Sequence, residues 1–387
     1  MIAHRRVGPG LAEAIKRAWP ALVTLLVGIL FISLRLWKYE FDPSALAEVG
    51  TRFSEMDPDG TEGYDGQFTL YIARDLSPLS VAEHLDVPAY RYQRILLSLL
   101  ASLFSFGNPS IIPWMLLVVN LVVHTAAVYS LQRFLQRSGA AEHYALIYGL
   151  WVGVILTLGA DLHEALAYGL VVIGWLFWRK GSWSGIFLLS LALFAKETVF
   201  LFVAAAFLET TLITIRQFQK QISSEERKKI LRQIGLFVVF LSVYIIWQLW
   251  LWKVFGRPGL GSGGAMATSF EWIPFGGLIK VLPYEEIFLS ILALSLPTLI
   301  ITVWGLIKAG KSGISGDFSA ESTALFLNSL MIVFLPFSSF REPWAIVRLT
   351  DGLILATVLF SAKHGLKKEL NYAMFLIVYL VMLVKML

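Results

Sequence analysis

The chain has 387 residues, 57% of them hydrophobic and only 15% charged, with a formal net charge of +5 and no cysteine. A soluble domain carries about a quarter charged residues, so this composition excludes an ordinary soluble enzyme and predicts an all-α, polytopic transmembrane bundle. The missing cysteine excludes disulfides, thiolate metal sites and a cysteine nucleophile, and the positive charge follows loop topology rather than nucleic acid.

Arg5, Arg6, Lys16 and Arg17 precede the first apolar run, Pro20–Trp37, and predict a cytoplasmic N-terminus. That run is too long for a signal-peptide core and lacks a small-residue cleavage site, so it reads as a span. The loop after it is acidic: Lys38 to Arg94 holds eleven Asp and Glu against five Lys and Arg, which assigns it to the outer side. Gln93–Gly107 is apolar but too short to cross, and reads as a helix lying in the outer interface. Ser110–Leu131 is the second span and returns to Arg133 and Arg137.

The alternation continues through Tyr144–Gly159, Ala165–Trp178, Trp183–Ala195, Thr198–Ile215, Ile234–Trp252, Ile287–Ile307, Ala324–Phe340, Trp344–Ser361 and Asn371–Val384. The total is about eleven spans in one transmembrane domain, 1–387. It comprises a first span at 20–37, an acidic outer loop with in-plane helices at 38–109 and the remaining spans at 110–387, with a second outer loop at 253–284. Tryptophans near predicted span ends, Trp151, Trp183, Trp272 and Trp344, suit an interfacial belt.

Chemistry concentrates in the first outer loop. Tyr64, Phe68, Tyr71 and Ile72 fall on one helical stripe, which places Asp65 at the N-cap with Tyr64 as a staple. Asp65 is then either a simple cap or a base held at the membrane surface, where desolvation raises and a helix N-terminus lowers its pKa. Asp57, Asp59 and Glu62 form a solvated acidic turn or, with hard oxygen ligands, a divalent-cation site, although the spacing is not that of an EF-hand.

Arg91 and Arg94 read as interfacial anchors or phosphate ligands. Lys196-Glu197 is a hairpin tip or a pair within the bilayer. Arg341 can pair with Glu342, and Arg348 with Asp351 three residues on. Asp161, His163 and Glu164 read as a polar outer turn. Gly256–Gly264 lacks the features of a phosphate-binding loop and reads as a lid or linker.

The run Gly63-Tyr64-Asp65-Gly66-Gln67-Phe68, with Tyr71-Ile72-Ala73-Arg74-Asp75, resembles the first outer loop of GT-C superfamily glycosyltransferases. It is similar to a bacterial multi-span group with a Tyr-Asp-Gly-Gln-Phe signature and, more loosely, to PIG-V-type mannosyltransferases. Asp86 to Leu96, Lys196-Glu197-Thr198 and Phe340-Arg341-Glu342-Pro343 extend the resemblance.

It implies a GT-C-like bundle in the bacterial inner membrane that transfers a sugar, hexosyl or mannosyl, with inversion at the outer face. The donor is a polyprenyl-phosphate-linked sugar, the acceptor a hydroxyl of a glycan, lipid or protein, and membrane lipid surrounds the chain. Asp65 matches the family's general base, with Asp57 as the alternative. Tyr64, Gln67, Arg91, Arg94, Lys196, Glu197, Arg341 and Arg348 are the candidate substrate contacts. The residues assign no definite cofactor; a divalent cation at the acidic turn of Asp57, Asp59 and Glu62 is the one option they offer. The large outer C-terminal domain of many members has no counterpart here. The competing readings are a lipid or sugar transporter or flippase, and an inactive assembly subunit of the same shape.

Overall fold

The structure, a computed structural model, describes residues 11–218 and 224–387. It is helical, with no strand among the described residues. Arg5 and Arg6, which predicted the side of the N-terminus, lie outside them.

Helix α1 (Leu11–Lys38) leads into the first loop, which carries α2 (Gly66–Arg74), α3 (Pro88–Tyr92) and α4 (Ile95–Phe104). Next come α5 (Ile112–Arg137), the short pair α6 (Ala145–Gly149) and α7 (Val152–Leu158), α8 (Glu164–Arg179) and α9 (Trp183–Leu191). The chain ends with α10 (Phe200–Phe218), α11 (Ser224–Phe255), α12 (Glu285–Ile314), α13 (Ala320–Val333), α14 (Pro343–Leu349), α15 (Asp351–Lys363) and a 3-10 stretch, Met374–Lys385.

Among the described residues, five helical segments are long and apolar enough to cross a membrane: Ala18–Lys38, Ile112–Arg137, Glu197–Ile215, Leu231–Phe255 and Pro343–Lys363. Their surroundings differ. Only 22% of the apolar window in Leu231–Phe255 is buried, and Val239, Ile246 and Trp252 lie open on it, as a lipid-facing helix requires. In Pro343–Lys363 the figure is 94%, so this apolar helix is wrapped by protein and forms the core. Helix α8 is also central, packing against α5 and α9. Its approach to α9 depends on Gly185, where a Cβ would lie 2.1 Å from the backbone nitrogen of Trp178.

Polar contacts gather at two ends. At one end Trp19 donates to Glu142 (3.1 Å), Tyr144 to Asn371 (2.7 Å), Arg179 pairs with Glu209 (2.6 Å) and His364 with Asp317 (3.3 Å). At the other, Lys38 donates to the Met386 carbonyl (2.9 Å), Arg94 pairs with Glu197 (2.6 Å), and Ala265 N–H donates to Asp86 (3.0 Å).

Local differences from the expected spans have identifiable causes. Tyr144–Gly159 is broken between α6 and α7, because Trp151 is extended (φ −64°, ψ 127°). Its indole is fully buried and donates to the Val347 carbonyl, so Trp151 belongs to the core and not to an interfacial belt. The helix expected to reach Phe340 stops at Val333, before Pro336. The short apolar run forms α4, ten residues long, which packs on α2 and α5.

Candidate active site

The site begins in the turn before α2. Gly63 takes a left-handed conformation (φ 69°), and the buried Gln67 amide braces the loop. It accepts from Gly50 N–H at 3.1 Å and donates to the Glu62 carbonyl at 2.8 Å. Gln67 is thus a strut of the loop and is not among the residues that line the cleft described below. Gly66 lets α2 start against the backbone at Ala160, whose carbonyl oxygen lies 2.3 Å from where a Cβ would stand.

Asp65 itself is not a cap. Its backbone is already helical and its side chain makes no capping bond. The carboxylate turns instead to two guanidiniums, Arg91 at 2.8 Å and Arg348 at 3.3 Å. Burial alone would raise its pKa, but the Arg91, Arg348 and Arg94 charges outweigh that and hold it well below the usual carboxylate range.

Each cation has a second anchor. Asp86 takes Arg91 in a fork, Nε at 2.7 Å and Nη2 at 2.9 Å, and also accepts from Val87 and Ala265 N–H. The Arg91 guanidinium lies over the Phe68 ring (4.2 Å) and that of Arg94 over Tyr90 (4.2 Å). Arg94 is held by Glu197, with contacts of 2.9 and 2.6 Å. Lys196 pairs with Glu164 at 2.7 Å, and Arg348 approaches the same Glu164 oxygen at 3.7 Å. Arg91 and Arg94 are largely buried, with side chains 10% and 11% exposed, and turn to carboxylates of the protein.

Asp65, Phe68, Thr69, Ile72, Arg91, Arg94, Leu162, His163, Glu164 and Arg348 line one cleft. Sequence reasoning placed Asp86 only within a resembling run and dismissed His163 and Glu164 as loop polarity. Their signal was a His-Glu pair opening an apolar helix, where water-exposed charge is not expected. His163 accepts from or donates to Thr69 at 3.1 Å, and burial, aided by the Arg94 charge, pulls its pKa down to about 3, so it stays neutral. Asp161 beside it is buried, with neither oxygen hydrogen-bonded among the described residues.

Other expected residues stay apart. Asp57 is exposed, and its carboxylate accepts from Asp59 N–H (3.0 Å). Arg341 lies over the Phe337 ring (6.0 Å), and no pair with Glu342 forms. Tyr64 is not among the lining residues; its ring lies 5.3 Å from the Arg348 guanidinium, and burial raises its hydroxyl pKa. Asp351 makes no ion pair with Arg348 among the described residues and is fully buried beside the Trp151 indole. No group of three His, Cys, Asp or Glu suited to a metal occurs among them. Nor is Gly256–Gly264 a plain linker: Gly259 packs on Gln93, and Leu260 N–H donates to Gln248 at 3.0 Å.

Arg91, Arg94, Arg348 and Lys196 thus face Asp65, Asp86, Glu164 and Glu197, so the resting charges balance. The free space is small, room for about one water, and an anion entering it must displace a carboxylate. Asp65, at 34% exposure, is the most open of the four, against 6% for Asp86, 5% for Glu164 and 22% for Glu197. The arrangement can exchange an internal carboxylate for an external phosphate or carboxylate on Arg91 and Arg348. No family model, curated protein or solved structure matches the chain.

Proposed function

We propose that the chain is an inverting membrane glycosyltransferase of GT-C-like architecture with about eleven spans, using a polyprenyl-phosphate-linked sugar at the outer face of a bacterial inner membrane. The observation that carries the reading is one partly exposed carboxylate, Asp65, held between two arginines at the cleft mouth. In the resting state those arginines make Asp65 a weak base. A donor phosphate that draws Arg91 and Arg348 to itself relieves Asp65 of both charges and raises its basicity where the acceptor hydroxyl arrives.

The step then balances. The acceptor oxygen attacks the anomeric carbon as its proton passes to Asp65. The bond from that carbon to the phosphate oxygen breaks, and the electron pair leaves with the polyprenyl phosphate, stabilised by the guanidiniums. The acceptor is a glycan, lipid or protein hydroxyl. The test is transfer of labelled sugar from polyprenyl-phosphate donors by purified protein in nanodiscs. Asp65→Asn is expected to abolish transfer by about 10²–10⁴-fold, and full transfer by that variant removes Asp65 from the role.

A transporter or flippase is the second reading. It is favoured by Asp351, an acid fully buried inside the apolar core, and by the buried Lys196–Glu164 pair, since ionisable groups within a bundle mark transport paths. Translocation of lipid-linked sugar in liposomes without covalent transfer would establish it.

A further inference from the structure

We propose that the segment from Ala265 to Tyr284 is seated in the lipid interface at the cleft end of the bundle, with Phe270, Trp272 and Ile273 as its anchors. These three side chains are 61%, 95% and 66% exposed, and Met266 nearby is 61% exposed. An apolar cluster this open is not left to water without a partner.

The residues are not on a loose strand. Glu271 N–H donates to the Phe334 carbonyl (3.1 Å), Phe275 N–H to that of Val333 (2.7 Å), and Thr268 N–H to Ser338 (3.1 Å). Gly276, Gly277 and Val281 are buried beneath. One face is therefore fixed to protein and the apolar face is held outward. The only two charges in the segment, Glu271 and Lys280, neutralise each other at 2.7 Å.

Lipid is the occupant that the surroundings favour. The segment lies between α11, where Ile246, Leu249 and Trp252 are open, and α12, where Leu296 and Ile300 are, so both helices that it joins carry exposed apolar side chains. Trp, Phe and Ile with neutralised charge is an interfacial composition. The first loop is the contrast, since its exposed tip carries Glu55, Asp57 and Asp59 and suits water. The neck of the segment reaches the site, where Ala265 N–H holds Asp86 and Gly264 abuts Arg91. The bilayer thus steadies one wall of the cleft.

The cysteine-free chain allows single-site labelling. Ile273→Cys and, separately, Phe270→Cys carry an environment-sensitive fluorophore in phosphatidylcholine nanodiscs, with Asp59→Cys as the aqueous control. The expected result is blue-shifted emission at both positions, quenched by acyl-chain nitroxide lipid and not by aqueous iodide. Iodide quenching equal to that at position 59 overturns the proposal. Protection from both quenchers identifies a protein partner and overturns it as well. Both positions are exposed, so the labels do not disturb the core, and the readout is independent of sugar transfer.

Discussion

Asp161→Asn changes one buried carboxyl into an isosteric amide at a position whose φ of 51° suits either residue. Burial is the main influence on Asp161, with the Arg35 charge opposing it, and pushes its pKa from the ordinary 3.8 up to about 8. Because the folded value is the raised one, the stability contribution is full below about pH 4 and is lost as pH rises toward 8. The loss is about 1.4 kcal/mol per pH unit across that window, hence about 4 kcal/mol at pH 7. Asparagine carries no proton to lose and escapes it. Apparent Tm of the purified chain, wild type against Asp161→Asn from pH 5 to 9, should show a gap in favour of the variant that widens to about pH 8 and then levels. A gap that does not change with pH, or a variant less stable throughout, means that Asp161 is ionised in the folded chain and the reasoning fails.

The arginine exchange proposed for Asp65 predicts different acid limbs for two rate profiles. In free protein its pKa is held down by Arg91 and Arg348, so kcat/KM should persist to lower pH than kcat, which reports the bound complex; coincident limbs argue against exchange. Glu197→Gln leaves Arg94 largely buried without its carboxylate and should cost about 3 kcal/mol in thermal stability. Most of that should return in the double variant Arg94→Leu, Glu197→Leu, read by the same melting assay. Gly66→Ala drives a methyl into the Ala160 carbonyl and should destabilise by about 1–3 kcal/mol. A neutral effect on melting would show that α2 can shift away.

Apolar run length and the distribution of charge were legible before any coordinates. They predicted a helical membrane-type chain, an acidic loop after the first long apolar helix, and a short apolar helix at α4. Asp65 stands out by the first-loop motif, Arg91, Arg94 and Arg348 by the predicted outer face, and Lys196 and Glu197 because charges are expensive in an apolar chain. Pairing was not legible. The plausible i, i+3 bond from Arg348 to Asp351 loses to contacts 283 and 184 positions away, with Asp65 and Glu164. The expected cap at Asp65 likewise gives way to two guanidiniums.

Sequence alone determined which segments avoid water, since transfer free energy sums over neighbouring residues and needs no partner. Only the tertiary structure decided that the apolar Pro343–Lys363 is a protein-wrapped core while Leu231–Phe255 faces outward. It also decided which of several similar carboxylates stands open at the cleft. Both outcomes depend on which distant helices come together, and a one-dimensional pattern of hydropathy and charge carries no such distances.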